Sequence, residues 1–286
     1  MASTSIRGAE LFDVQGLVAV VTGGGTGIGL MLAQALATNG ATVYIIGRRR
    51  EVLDAAAATE PSGRIIPIEG DVSSKDSLAA AAEQVCQKHG YINVLLPNAG
   101  INGPSLTSLP QNPSLSDISA HLQSWSAEDF NRAFEVNTTG MFLTVAAFLP
   151  LLDEGNKRGG LKQKSQIIAT SSIGGFNRRP LVGFAYGGSK AAVIHISKQL
   201  STFLGPHGIR SNVLAPGFYP SEMTDGVIQK LDAAQWPADV VPERRAGDAE
   251  DLAGAVLFLV SRAGAYINGN VLLTDGGRLG VMPASY

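Results

Sequence analysis

The chain has 286 residues, 45% of them hydrophobic, and its 22 basic and 24 acidic side chains leave a formal net charge of −2. That balance argues against a general nucleic-acid binder, which carries a strongly basic domain. The single cysteine excludes an intramolecular disulfide and a cysteine-based zinc site. No run approaches 18 uninterrupted apolar residues, and the opening stretch MASTSIRGAELFDVQG has no apolar signal core. A soluble, cytoplasmic protein with no nucleic-acid or membrane partner is therefore expected.

In chain order, short apolar runs alternate with longer helical patterns. LVAVVTG (17–23) precedes a predicted helix at 27–39, and ATVYIIG (41–47) precedes one at 49–58. RIIPIEG (64–70) leads to a helix at 75–89, which starts after the capping hydroxyls of DVSS and stops at Gly90. Cys86 lies in that helix and reads as a small buried hydrophobe. INVLLPNAG (92–100) is followed by a long connection and a helix at 127–152. QIIATSS (166–172) precedes a helix at 184–205, RSNVLAPG (210–217) comes before one at 248–262, and NVLLTDGG (270–277) closes the series. The strand runs are apolar on both faces, as strands buried in a parallel sheet are. The alternation predicts one α/β domain over 1–286, Rossmann-like and doubly wound, with a mostly parallel seven-stranded sheet flanked by helices on both faces. Two segments break the rhythm. Residues 101–126 are rich in Pro, Ser and Asn, and residues 218–246 hold Phe218, Tyr219, Met223 and Trp236 among prolines. Both leave strands at the carboxyl edge, where ligands of such sheets sit, so both read as substrate walls.

The first strand runs into TGGGTGIG (22–29) and then a helix. Glycines at such a junction let backbone N–H groups approach a pyrophosphate at the positive helix end. The literal G-x-G-x-x-G is absent; the spacing is G-x-x-x-G-x-G, as Gly23, Gly27 and Gly29. Further motifs follow in order: GDV at 70–72, PNAG at 97–100, FEVNTTG with Asn137, TSSIGG at 170–175, YGGSK with Tyr186 and Lys190, and APG at 215–217. Seven motifs in this order, over nearly the whole chain, resemble the short-chain dehydrogenase/reductase family. Pro97 departs from the family's N-N-A-G and removes a backbone donor.

The resemblance implies a nicotinamide cofactor held by Gly23, Thr26, Gly27, Ile28 and Gly29 at the phosphates, and by Asp71 and Val72 at the adenine. It adds Asn98, Ala99 and Gly100 in the centre, with Pro216, Gly217 and Ser221 on the nicotinamide side. It implies a catalytic set of Ser172, Tyr186, Lys190 and Asn137, with Tyr186 as acid/base, Lys190 also on the nicotinamide ribose and Asn137 holding a water near the lysine. On a helix, residues four apart share a face, so Tyr186 and Lys190 point the same way. A nearby ammonium favours phenolate, which would bring the tyrosine toward neutral pH. The two glycines between them each cost a helix about 1 kcal/mol, a penalty that makes sense where something approaches the backbone closely. Ser171 and Ser172 face opposite ways on a strand. The family pattern places the serine before an x-x-G turn, which selects Ser172 and leaves Ser171 structural.

The stretch GRRR (47–50) addresses the choice of cofactor. The second strand ends at Gly47 with Arg48 next and no carboxylate at the tip, an arrangement suited to the 2′-phosphate of NADP(H). Arg50 reads as a solvated helix start, and Arg49 stands equally for either role. The expected activity is an NADP(H)-dependent interconversion of a ketone and a secondary alcohol on a hydrophobic or aromatic small molecule. Alternatives keep the pocket for a dehydration or cyclisation after reduction, or for a non-catalytic NADP(H) sensor. No His or acidic cluster has metal spacing. The family resemblance implies a homodimer or homotetramer built through the helices at 127–152 and 184–205.

Overall fold

A computed structural model of the chain describes residues 5–180 and 182–285. After a short helix α1 (Gly8–Leu11), the elements are β1 (Val18–Thr22), α2 (Gly27–Thr38), β2 (Thr42–Gly47), α3 (Arg50–Ala58), β3 (Ile65–Glu69), α4 (Lys75–His89) and β4 (Val94–Leu96). The second half holds α5 (Leu115–Gln123), α6 (Ala127–Phe134), α7 (Gly140–Arg158), β5 (Gln166–Thr170), α8 (Phe184–Phe203), β6 (Arg210–Pro216), α9 (Asp225–Ala233), α10 (Ala249–Val260) and β7 (Val271–Thr274).

All seven strands are parallel, in the order β3-β2-β1-β4-β5-β6-β7. The chain winds outward from β1 to β3, then returns to place β4 on the other flank of β1. The reversal opens a crevice beyond the carboxyl ends of β1 and β4. Side chains alternate between faces. Ala19, Val21, Val43 and Ile45 pack with Leu32 and Leu36 of α2 and Leu252 and Val256 of α10. Val18, Val20, Tyr44 and Ile46 meet Leu78 of α4, Phe148 and Leu152 of α7, and Val193 of α8 on the other face. Burial on both faces explains why the strands read as unbroken apolar runs. Pro67 pairs with Ile45 in the edge strand β3. Gly70 N donates to Gly47 O and Val43 N to Arg64 O. With that alternation the even-numbered amides of β3 face β2, and the nitrogen of Pro67 faces outward, where a strand tolerates proline.

Three expectations are corrected. The helix predicted over 127–152 is broken by a π-helical turn at Glu135–Thr139, which separates α6 from α7. The two irregular segments carry helices of their own, α5 and α9. Cys86 is exposed. Leu78, Ala81 and Val85 form the buried stripe of α4, and Cys86 is turned about 100° away from Val85. Among the described residues, Ala127–Arg158 is the one helical stretch long and apolar enough to cross a membrane, and Met141, Val145, Phe148 and Leu152 within it belong to the core.

Candidate active site

The crevice holds a cavity of about 610 Å³. Its floor is the turn from β1 into α2. Gly23 and Gly27 have φ of +65° and +50°, in the region that favours glycine. A β-carbon on Gly23 would stand 2.9 Å from Ala99 Cα, and one on Gly29 would collide with the Gly23 carbonyl oxygen. The bare backbones let α2 begin directly against the turn and let the chain beyond β4 close over it. Asn98 and Ala99 donate their N–H groups to Thr22 Oγ1 at 3.0 and 3.2 Å, and Asn98 Nδ2 donates to Thr22 O at 3.1 Å. Asn98 thus fixes the shape of the cradle. Pro97 forfeits a donor, yet its carbonyl still accepts from Thr170 N at 2.9 Å.

Of the residues singled out by sequence, Gly23, Thr26, Gly27, Ile28, Gly29, Arg48, Arg49, Asp71, Val72, Asn98, Ala99, Gly100, Tyr186, Lys190 and Ser221 line this cavity. Ser172, Asn137, Pro216 and Gly217 are not in its wall. Burial alone would raise the Asp71 carboxyl; hydrogen bonds from Ser73 N and Oγ, reinforced by the charges of Arg48 and Arg132, hold it below the usual carboxylate range. The three arginines part company. Arg48 borders the cavity and has no ion-pair partner among the described residues. Arg49 Nη2 lies 3.3 Å from Glu222 Oε1, and Arg50 pairs with Asp54 one helical turn on, at 2.9 Å, away from the cavity.

At the other end, α8 brings Tyr186 and Lys190 to the same wall. Its internal glycines have the expected close neighbours: a β-carbon on Gly187 would be 3.2 Å from Gly174 O, and one on Gly188 3.2 Å from Phe134 Cζ. Lys190 is buried, donates from Nζ to Thr170 O at 3.0 Å, and lies 5.8 Å from the centre of the Tyr186 ring. Burial pulls the lysine down to about 8. The tyrosine differs from expectation. Burial pushes its phenol above the ordinary value, and a hydrogen bond with Ser172 only partly offsets this. Desolvation is the larger of these two influences on the phenol.

The adjacent serines diverge as strand geometry requires. Ser171 Oγ donates to Lys190 O at 2.8 Å, whereas Ser172 Oγ accepts from Gly174 N at 3.0 Å beside Tyr186. Asn137 is buried within the π-helical turn. Its Nδ2 donates to Ile101 O at 3.0 Å and Ser189 Oγ at 2.9 Å, and its Oδ1 accepts from Ile101 N at 2.8 Å. Both donors and one lone pair are occupied by protein, so the amide clamps α8 to the segment that follows Gly100. Asn137 Oδ1 and Lys190 Nζ both flank Gly100, whose β-carbon would lie 3.1 Å from the one and 3.3 Å from the other.

Sequence reasoning missed Arg132 and Glu222 in the cavity wall. Arg132 pairs with Glu135 at 2.7 Å and reads in sequence as an ordinary helical ion pair. Glu222 lies in a loop with no periodicity to mark it.

A family model described as enoyl-(acyl carrier protein) reductase matches residues 23–278. The short-chain dehydrogenase/reductase PhomF of Diaporthe leptostromiformis is 50% identical over 286 residues, covering 99% of this chain and 98% of that protein. Among solved structures, the Pseudomonas aeruginosa RhlG/NADP active-site complex is 30% identical with a TM-score of 0.81, over 94% of this chain and 98% of that one. A 3-ketoacyl-(acyl-carrier-protein) reductase from Brucella melitensis, complexed with NADH, is 27% identical with a TM-score of 0.77, over 93% and 99%.

Proposed function

Because the chain belongs to the short-chain dehydrogenase/reductase family of oxidoreductases, we propose that it interconverts a ketone and a secondary alcohol on a hydrophobic or aromatic small molecule, using NADP(H). The observation that carries this reading is the pairing of two features in one cavity: Tyr186 beside Lys190 at one end, and the unpaired Arg48 at the other. The site fits a dinucleotide. Its turn cannot accept a β-carbon at Gly23 or Gly29, and cations line the mouth while only Asp71 and Glu222 oppose them.

When bound, the nicotinamide supplies or accepts the hydride. Tyr186 gives its phenolic proton to the carbonyl oxygen in reduction and takes it back in oxidation. A phenol raised by burial suits the donor role at neutral pH. Ser172 orients the same oxygen and stabilises its developing charge. Lys190, drawn down to about 8 and 5.8 Å from the centre of the Tyr186 ring, would hold the nicotinamide ribose hydroxyls and favour the phenolate of Tyr186. Asn137 clamps α8 to the segment after Gly100 and, at the position of the family's relay asparagine, would hold a water near Lys190. Arg48, whose guanidinium offers a planar, charge-assisted fork, would hold the 2′-phosphate. Ile101 and Met223 in the wall, the Trp125–Phe184 pair between the first irregular segment and α8, and the Phe218–Trp236 pair within the second segment support an apolar substrate. A dimer or tetramer assembles through α7 and α8, where Phe142 and Phe203 are exposed.

The test is a pair of variants assayed with NADPH and NADH on a panel of ketones. Tyr186→Phe removes the transferable proton and should lower kcat by about 10²–10⁴-fold while NADPH affinity stays within about twofold. Arg48→Asp should weaken NADPH by about ten- to a hundredfold, through loss of one charge-assisted bond, and spare NADH. Full activity in the first variant, or a wild-type preference for NADH, would overturn the reading.

A further inference from the structure

We propose that Glu222 sets cofactor specificity by competing with the 2′-phosphate for Arg49; the proposal rests on the NADP(H) reading above. Ser221, Glu222 and Met223 border the cavity across from Arg48 and Arg49. Their backbone is held firmly. Thr224 N and Asp225 N donate to Ser221 O at 3.0 and 3.1 Å, and the hydroxyls of Ser221 and Thr224 are 2.9 Å apart. Ser221 packs on the phosphate cradle so closely that a β-carbon on Gly27 would stand 2.9 Å from Ser221 Cβ. The turn therefore presents Glu222 at a fixed place beside the mouth.

There Glu222 meets Arg49 at 3.3 Å, and among the described residues each is the other's only ion-pair partner. Their side chains are 68% and 55% exposed, so the pair is weak and replaceable. Arg48, the neighbouring guanidinium, has no ion-pair partner among the described residues, although its charge acts on Asp71. One carboxylate can satisfy one of the two arginines; a phosphate, with about two negative charges and three acceptor oxygens, can satisfy both. To reach Arg49 the phosphate must displace Glu222. A ribose with a free 2′-hydroxyl brings no competing anion and leaves the pair intact. Glu222 thus opposes the phosphorylated cofactor and narrows the preference that Arg48 creates.

Titration calorimetry with 2′,5′-ADP and 5′-ADP isolates this contact from hydride transfer. In the wild type, 2′,5′-ADP should bind more tightly; equal affinities would refute the phosphate socket itself and the proposal with it. Glu222→Gln should tighten 2′,5′-ADP about three- to fivefold and change 5′-ADP by less than about twofold. In an Arg49→Gln background the same change should have less than about a twofold effect, since the contested partner is gone. A wild type that prefers 2′,5′-ADP, combined with a Glu222→Gln variant of unaltered ratio, would overturn the competition while leaving the socket standing. An undiminished gain without Arg49 would overturn it too.

Discussion

Lys190 carries a cation into the interior with one hydrogen-bonding partner, the carbonyl of Thr170. Its value of about 8, against 10.5 for a free lysine, means that the unfolded chain binds more protons than the folded one between those limits. Stability contributed at this site therefore rises with pH across that window, and the penalty is fully present below it. Lys190→Met should abolish turnover yet stabilise the protein at pH 7 by about 1–3 kcal/mol, the shift being offset in part by the lost bond to Thr170. The gain should fade as pH rises toward about 10.5. Urea unfolding of both proteins at pH 6, 7, 9 and 10 checks this, and a pH-independent difference would contradict it. At this scale the sequence was informative about identity and less so about environment. The pairing of Tyr186 with Lys190 follows from spacing and resemblance, whereas of the two serines it is Ser171, read as structural, that lies in the cavity wall. The upward displacement of the phenol does not follow from spacing or resemblance, because burial depends on chain segments far away in sequence.

Among the elements, the helices that carry the site divide by how local their causes are. Ser74 caps α4 and Gly90 ends it at φ +77°, as the sequence indicates. The π-helical turn between α6 and α7 has no such local signature. The clamp from Asn137 to Ile101 and Ser189 holds it, and both partners lie more than 30 residues away. Glycine is the intermediate case, since its position is visible while the atom it makes room for is not. Two substitutions separate those atoms. Gly29→Ala meets backbone on a side that cannot yield; it should destabilise the protein by about 1–3 kcal/mol and remove measurable NADPH binding. Gly187→Ala meets Gly174 O at 3.2 Å, in the turn that carries Ser172, so it should lower kcat about tenfold while leaving NADPH affinity nearly unchanged. Calorimetry and steady-state kinetics on the two variants distinguish these outcomes, and similar profiles would mean that the turn after β5 is decoupled from chemistry.

For the whole molecule, the parallel sheet was legible because every central strand is apolar on both faces, and the length of the chain matches seven strand–helix steps. The order of strands was not legible from periodicity, which is blind to which neighbour a strand chooses. A sheet of this kind still ends at two borders, and β3 is one of them. Pro67 interrupts the outward row of amide donors in the middle of that strand, so an incoming chain would find a gap where continuous pairing needs an N–H. The same proline that reads as a flaw in a strand acts as a guard against accretion. Pro67→Val should leave the melting temperature within a few degrees, since its effect falls on an exposed border. It should raise light scattering on prolonged incubation at high concentration, and unchanged scattering would place the safeguard elsewhere. Concentrated, partly heated protein would then be protected at this border by one missing hydrogen atom, independently of anything the catalytic machinery does.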